Sequence, residues 1–353
     1  MFLFLSLLQL PPSFPARILP QPTVLNFDDH SSSAYNSTPW ARFAKLANLE
    51  KGSHVSGICD LKSYFHRFGY FPEVAGNFTD DFDAELESAI LNYQNNLGLP
   101  VTGKLDPDTI DLIMAPRCGM SDATPRAPTR VHETRRYAYF HGEPRWSNPH
   151  PMTLTYSFSP DHVIDYLSRD QIREVFSRAF SRWSEVIPVN FTEARDHRTA
   201  DVRIGFYRGD HGDGEPFDGV LGVLAHAFSP ENGRLHLDAA ETWAVDFKTE
   251  NSRTAIDLES VATHEIGHVL GLAHSTVSDA IMYPSLKPRS RKVDLRVDDV
   301  QGVQNLYGSN PNFNYESLLE SDRETSGVKM VESLTWSALW MMALSLYIVH
   351  QFI

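Results

Sequence analysis

Cysteine and basic residues are both scarce in this chain of 353 residues. Only two cysteines occur, Cys59 and Cys118, which is too few for a small scaffold held together by disulfides. Lys and Arg number 31 against 45 Asp and Glu, so the formal net charge is −14. Because phosphate binding needs clustered cations, we expect no nucleic-acid partner. The acidic surplus suits cation binding, although it also serves solubility.

Long hydrophobic runs occur only at the two ends of the chain. Residues 1–10 are a Leu/Phe run that stops at Pro11 and is too short to span a bilayer. We interpret residues 1–16 as a secretory signal peptide, with a buried N-terminal helix as the alternative. Residues 334–353 are without formal charge and follow a polar stretch that contains Ser326 and Gly327. Such an ending is typical of a glycosylphosphatidylinositol (GPI) anchor signal, and a tail-anchored membrane helix is the alternative.

The secretory interpretation predicts where the protein is located. Residues 310–327 are predicted to be a polar linker and residues 328–353 a removable anchor signal. Three N-x-[ST] triplets, at Asn36, Asn77 and Asn190, are candidate glycosylation sites. We expect the protein at the outer face of the plasma membrane, held by a lipid anchor, or as a soluble form after shedding.

Hydrophobic residues make up 42% of the chain, and its length suggests two globular domains. In the first, helical spacing of apolar residues and capping signals predict three helices. The first helix has an apolar face formed by Leu61, Tyr64, Phe65 and Phe68 and ends before Gly69. The second runs from Asp83 through Tyr93, and the third begins near Asp106-Pro107. Residues 121–151 are rich in Pro and Arg and lack periodicity, which indicates an exposed connector that contains Arg135-Arg136. Exposed connectors are where processing proteases cut, and the sequence leaves the cleavage site open.

The second domain, residues 141–309, alternates strands with helices and is predicted to be α+β. Strands are expected at residues 153–158 and 201–206, and helices at 170–186, 258–270 and 297–307. The stretch from Arg208 to Asp246 is predicted to be rich in loops.

The strongest chemical signal is the pattern HExxHxxGxxH at residues 264–274. His264 and His268 are four residues apart on a helix and project from one face toward a common zinc ion. Gly271 lets the helix end, so that His274 can return as a third ligand. A fourth position then remains for water, and Glu265 is the general base that activates it.

These residues resemble the metzincin zinc endopeptidases, and Ser275 after the third histidine resembles their matrixin branch. The resemblance implies a twisted mixed sheet with three helices, preceded by a helical propeptide within residues 17–140. Met282 in the sequence Ala280 to Pro284 resembles the Met-turn beneath the zinc. The 45 residues after Gly308 are too few for a four-bladed propeller, as in plant matrixins.

The segment from Pro116 to Asp122 resembles the matrixin cysteine switch, in which the thiolate of Cys118 occupies the fourth position on zinc and keeps the zymogen silent. Met120-Ser121 departs from the family pattern. A disulfide between Cys59 and Cys118 remains the alternative.

A second cluster unites three histidines and one aspartate, a closed ligand set that suits structural zinc and resembles the matrixin structural site: His211, Asp213, His226 and His236. Calcium prefers carboxylate and carbonyl oxygens. The resemblance implies a calcium site with side chains of Asp218, Asp238 and Glu241 and carbonyls of Gly219, Leu221 and Val223. A second calcium site is doubtful because Arg234 stands where the family has Asp, although Asp201 matches.

Together these features predict a monomeric, secreted zinc endopeptidase with two zinc ions and at least one calcium ion. By resemblance, the strand at Leu224-Ala225 binds the substrate backbone, and protein substrates carry a hydrophobic residue directly after the scissile bond, the P1′ residue. The shape of the pocket that receives the P1′ residue is not predicted, because Pro284-Ser285-Leu286 departs from the family's Pro-x-Tyr. The alternatives are a catalytically silent metal-binding extracellular protein and a metzincin of another branch.

Overall fold

The computed structural model describes residues 38–71, 78–122, 137–147, 151–316 and 318–319. The predicted signal peptide and anchor signal, most of the connector, and the candidate glycosylation sites Asn36 and Asn77 lie outside these residues. Asn190 lies within them and is exposed. No helix in the described ranges has both the length and the apolar character needed to cross a bilayer.

The first domain consists of helices around an aromatic core. A 3₁₀ helix, Ala41–Leu46, precedes α1 (Ile58–Arg67), α2 (Ala84–Asn96) and α3 (Pro107–Ile113). The predicted N-cap Asp106 is confirmed, because its carboxylate accepts from Thr109 N. Asp83 caps α2 in the same way, and its carboxylate accepts from Leu86 N. Edge-to-face aromatic pairs fill the interior, with ring centroids 4.7 Å apart for Tyr64 and Phe68.

The second domain is built on a six-stranded mixed sheet, to which the cysteine segment of the first domain contributes the edge strand β1. Its strands are β1 (Arg117–Cys118), β2 (Met152–Phe158), β3 (Val189–Glu193), β4 (Val202–Tyr207), β5 (Val223–Ala227) and β6 (Arg234–Asp238), in the order β1-β5-β6-β4-β2-β3. All neighbours pair in parallel except β5 and β6, which are antiparallel. The short strands β7 (Trp243–Ala244) and β8 (Ile256–Asp257) form a separate pair.

Three helices complete this domain: α4 (Arg169–Val186), α5 (Leu258–Val269) and α6 (Val297–Tyr307). The α4 helix packs on α5, and the indole of Trp183 donates to the carbonyl of Thr263 at 2.9 Å. The predicted mixed sheet with three helices is therefore confirmed in the described part of the catalytic region.

The stretch from Arg208 to Asp246 is rich in loops, as predicted, and β5 contains the expected strand at Leu224-Ala225, but β6 was not predicted. Every residue of β5 is buried, so the strand lacks the polar–apolar alternation by which a half-exposed strand is recognised. The exposed connector is also shorter than predicted, since Ala138 accepts from Ala273 N at 2.8 Å and Trp146 is buried in the catalytic core.

The helical domain is joined to the catalytic domain by backbone pairing and by side chains. Strand β1 pairs with β5, and Cys118 N donates to the carbonyl of Pro284 at 2.8 Å. Phe217 and Val223 of the catalytic domain lie in the hydrophobic core of the helical domain. The Arg67 guanidinium also donates to the carbonyl of Pro216 at 2.9 Å. This contact covers the edge strand of the sheet.

Candidate metal centres and active site

The α5 helix and the turn after it bring three histidines together. The helix starts at Asp257, whose carboxylate accepts from Ser260 N at 2.8 Å. His264 and His268 share one face, and the helix ends at Val269. Gly271 has a φ of 104°, and a Cβ there would lie 2.2 Å from the carbonyl oxygen of Pro144. Only glycine fits, and the turn it permits returns His274 to the helix face.

Hydrogen bonds fix which ring nitrogen of each histidine carries the proton. The Nδ1 atoms of His264 and His268 lie 2.7 and 2.8 Å from the carbonyl oxygens of Ile281 and Leu272. A carbonyl oxygen only accepts, so both Nδ1 atoms are donors and both Nε2 atoms carry free lone pairs. His274 Nδ1 donates in the same way to the Asp122 carboxylate at 2.6 Å.

The three lone pairs converge on one point. His268 Nε2 lies 3.1 Å from His264 Nε2 and 3.2 Å from His274 Nε2. Burial lowers the pKa of all three imidazoles, which keeps them neutral. Three buried acceptors facing one another repel unless a cation lies between them, and three neutral imidazoles are a ligand set that zinc prefers. The residues therefore fit a zinc ion.

The fourth group at this centre is the thiol of Cys118, 3.3 Å from His268 Nε2. The four candidate ligand atoms lie within 4.8 Å of one another. The pairing of β1 with β5 positions this thiol beside the three histidines. Next to it, a Cβ on Gly119 would lie only 2.6 Å from Val223 Cγ1, so this approach of the two strands requires glycine. Both cysteines are free, so the alternative Cys59–Cys118 disulfide does not form.

Glu265 lies beside this centre and is fully buried. Neither of its carboxylate oxygens has a hydrogen-bond partner at normal distance; burial raises its pKa to about 8, and the neighbouring Cys118 thiol opposes that rise. An acid without a partner next to three metal ligands is available to take a proton from a reacting group.

The second predicted cluster is also assembled. A single oxygen of Asp213, Oδ2, lies 2.8 Å from both His226 Nε2 and His236 Nδ1 and 2.9 Å from His211 Nε2. His211 Nδ1 donates to the carbonyl of Gly209, so its Nε2 faces Asp213 and His236 as a lone pair. This set fits a cation with four protein ligands, and the described residues contain no further group gathered as closely as these two.

The family comparisons agree with this geometry. A model of the matrixin peptidase family matches residues 145–308, and a putative peptidoglycan-binding domain matches residues 55–113. Metalloendoproteinase 1-MMP of Arabidopsis thaliana is 57% identical over 289 residues, which are 81% of this chain and 78% of that protein. The chain belongs to the matrixin family. It is a metalloendopeptidase, and the family implies zinc.

More distant relatives extend the same similarity. Metalloendoproteinase 1 of Glycine max is 44% identical over 287 residues, covering 80% of this matrixin and 92% of the relative. The hatching enzyme of Paracentrotus lividus is 39% identical over 262 residues, or 74% of this matrixin and 40% of the relative.

In this matrixin, the predicted calcium ligands form a buried acidic loop. Asp218 and Glu241 accept from the backbone N–H groups of Val223 and Leu221, both at 2.7 Å. The other oxygen of Glu241 is buried without a partner, and burial raises the pKa of this group to about 8. A calcium ion would supply the missing partner. At the doubtful second site, Asp201 instead accepts from Thr155 at 2.7 Å, and Arg234 stacks on Phe228.

Asp299 supports the Met-turn of this matrixin. Its carboxylate accepts from Ile281 N and Met282 N at 2.8 and 3.0 Å. A Cβ on Gly267 would meet Met282 Sδ at 2.2 Å, so the turn packs directly against the ligand-bearing helix. Sequence reasoning missed Asp299, and its only local signal is an acidic residue in the first turn of α6.

Asp122 connects the cysteine segment to a zinc ligand. Its Oδ1 accepts from Arg117 Nη2 and from His274 Nδ1, both at 2.6 Å. The Arg117 guanidinium is fully buried and stacks on Phe68, 3.8 Å from the ring centroid. The sequence pattern contained both residues, but it did not reveal that Asp122 contacts His274.

We expect Asp122→Ala to weaken latency, because it leaves the Arg117 guanidinium buried without its counter-ion. Removing one partner of a buried pair costs about 3–5 kcal/mol. Thermal unfolding of the helical domain is expected at a lower temperature, and peptide hydrolysis by the uncut chain is expected to rise.

The matched control is Asp81→Ala, because Asp81 pairs with His54 in an ion pair whose side chains are 59% and 74% exposed. Such exposed pairs contribute about 0–1 kcal/mol. Equal loss of latency in the two variants would contradict a role for the Asp122 contact.

Proposed function

We propose that this matrixin is a secreted, cell-surface zinc endopeptidase made as a latent zymogen, with Glu265 as its general base. The observation that supports this most directly is the convergence of Cys118 on three neutral histidines beside a buried, unpartnered Glu265. Cleavage of a peptide library by the chain after removal of the helical domain would test the function and define its substrates.

In the proposed reaction His264, His268 and His274 hold the zinc ion. When bound, zinc polarises the peptide carbonyl and acidifies a water molecule. Glu265 takes a proton from the attacking water and then donates it to the leaving amine. Glu265 suits this exchange by its position, because it is the residue next to His264 and its carboxylate is not needed to hold the metal.

The edge of β5 that β1 covers in the latent chain is the proposed binding strand for substrate. In the latent chain, Gly222 and Ala225 carbonyls accept from Arg117 N and Gly119 N at 3.1 and 2.8 Å. A substrate strand could use the same acceptors once the cysteine segment has left. Apolar residues beside Glu265, including Leu224 and Val261, favour a P1′ residue with a hydrophobic body.

Two zinc ions and at least one calcium ion are proposed per chain. Elemental analysis of the dialysed full chain is expected to find that composition, and His236→Ala is expected to lose one zinc ion but keep the other.

Because a cation bound only to the folded state stabilises it, about 2.7 kcal/mol is lost when calcium at 100 times its Kd is removed. A calcium-selective chelator should therefore lower the melting temperature.

His54→Ala is the control for zinc content, since His54 is an exposed histidine of the helical domain. Glu241→Gln is the control for calcium, and its melting temperature should respond less to the chelator. One zinc ion in the wild-type chain would remove the second site, and an unchanged melt would remove the calcium site.

The proposed location is the outer face of the plasma membrane, reached through the secretory pathway and held by a GPI anchor. Glycosylation at the exposed Asn190 and a monomeric state belong to the same proposal. Phosphatidylinositol-specific phospholipase is expected to release the protein from intact cells, as measured by immunoblotting of the medium. Retention after release of a known GPI-anchored protein from the same cells would favour a membrane-spanning tail.

A further inference from the structure

The pocket beside Glu265 is lined by both apolar and polar side chains. Leu224, Val261, Ile281 and Leu286 form its walls, and Ser285 and Lys292 also line it. In the latent chain the cavity has a volume of about 20 Å³, which is room for about one water molecule. A long unbranched side chain can place its aliphatic stem against the apolar residues and its polar end near Ser285 and Lys292.

Ser285 supplies the first polar group. In the latent chain the Ser285 backbone pairs with Arg117 of the cysteine segment, and the Ser285 hydroxyl oxygen is buried without a hydrogen-bond partner. Buried hydroxyl groups in proteins are almost always hydrogen-bonded, so this one calls for a partner that the folded chain does not provide. A substrate side chain entering the pocket can provide it.

Lys292 supplies the second polar group. Its ammonium lies 5.3 Å from the ring centroid of Tyr283, another residue of the pocket lining, and donates to the carbonyl of Ser278 at 3.3 Å. An ammonium has three donors, and the described contacts use one of them in a hydrogen bond. Burial lowers the pKa of Lys292 to about 8, so at neutral pH the ammonium remains mostly charged. Asp279 and Asp299 raise that pKa from nearby, but neither forms an ion pair with Lys292 among the described contacts.

We propose that Ser285 and Lys292 make this pocket select a P1′ side chain that is long, unbranched and terminated by a carboxamide or carboxylate, as in Gln and Glu. The inference rests on the proposed endopeptidase function. The aliphatic stem of such a side chain contacts the apolar walls. Its terminal oxygen accepts from the ammonium of Lys292 and the hydroxyl of Ser285. Leucine leaves both donors without that partner, and lysine brings a second cation to the ammonium.

The test compares quenched peptides that differ only at P1′, carrying Leu, Gln, Glu or Lys. The zinc-loaded full chain is activated by limited proteolysis of the connector, and kcat/KM is measured for each peptide. For the wild type, Gln and Glu peptides are expected to exceed the Lys peptide by about tenfold or more. Lys292→Met is expected to lower the Glu-to-Leu ratio by about tenfold, since it removes a charge-assisted hydrogen bond.

Two further variants make the comparison specific. Lys248→Met removes an exposed lysine outside the pocket and is expected to leave the Glu-to-Leu ratio unchanged. Ser285→Ala is a smaller change and is expected to lower the Gln-to-Leu ratio, so it supplies a second test if thermal melting shows Lys292→Met to be unfolded. Binding of the Gln and Leu peptides to Glu265→Gln, measured by calorimetry, separates recognition from turnover.

The possible failures are distinguishable. If the wild type cleaves the peptides but the folded pocket variants leave both ratios unchanged, the inference is overturned while the endopeptidase function stands. If the activated wild type cleaves none of the peptides or the wider library, the proposed function itself fails.

Discussion

Replacing Glu265 with glutamine is expected to reduce peptide hydrolysis by about 10²–10⁴-fold, the range that general acid–base catalysis contributes. Glutamine has nearly the same shape but cannot take up the proton of the attacking water. Because Glu265 contacts none of the three histidines through a hydrogen bond, zinc content is expected to remain. The measurements are kcat/KM on a quenched peptide after activation and zinc content by elemental analysis.

The matched control is Glu185→Gln, which changes an exposed glutamate on α4 and is expected to keep full activity. Near wild-type hydrolysis by a purified Glu265→Gln sample, free of contaminating protease, would rule out Glu265 as the base. Loss of zinc along with activity would instead assign Glu265 a role in holding the metal site together.

Replacing Cys118 with serine is expected to make the uncut chain active, whereas Cys59→Ser is expected to stay latent. A serine hydroxyl stays protonated near neutral pH and binds zinc far more weakly than a thiolate. Water can then occupy the fourth position although the helical domain is still attached. Cys59 lies on α1 and is free, so it offers a cysteine-to-serine control away from the zinc centre.

Activity should be measured on intact protein, with a gel run at the same time to show that no processing has occurred. Equal activity of the two single variants would contradict the cysteine switch. A low but measurable activity of the wild type would agree with the departure at Met120-Ser121, provided that Cys118→Ser exceeds it clearly.

The zinc motif was readable from sequence because its parts lie close together in the chain. His264 and His268 are one helical turn apart, and Gly271 marks where the chain must turn. The structure confirms that turn and the predicted helices. Both could be predicted because caps and helical periodicity are local signals in the sequence. Strands β5 and β6 were less readable, since buried strands lack alternation and follow from pairing between distant segments.

The contacts of the aspartates that support the zinc site and the Met-turn could not be predicted from the sequence, for a different reason. Asp122 contacts His274 across 152 residues, and Asp299 contacts Ile281 across 18. Nothing in the neighbourhood of either aspartate specifies such a partner, because the contact exists only once the two domains or elements have packed. From the sequence, the contact between Cys118 and the zinc ligands could be predicted only through the family resemblance.

The docking of the helical domain on the edge strand has a consequence for the kinetics of activation. The backbone bonds of β1, the Arg67–Pro216 contact and the shared core around Phe217 all lie outside the predicted cleavage region of the connector. A cut there removes no described contact, and only ends the covalent tether. A covalent connection supplies an effective concentration of the order of millimolar. Once it is cut, the helical domain is held by these contacts alone and can dissociate. Activity should therefore appear after a lag set by the dissociation rate of the helical domain, and the fraction of active enzyme finally reached should fall as the protein concentration rises.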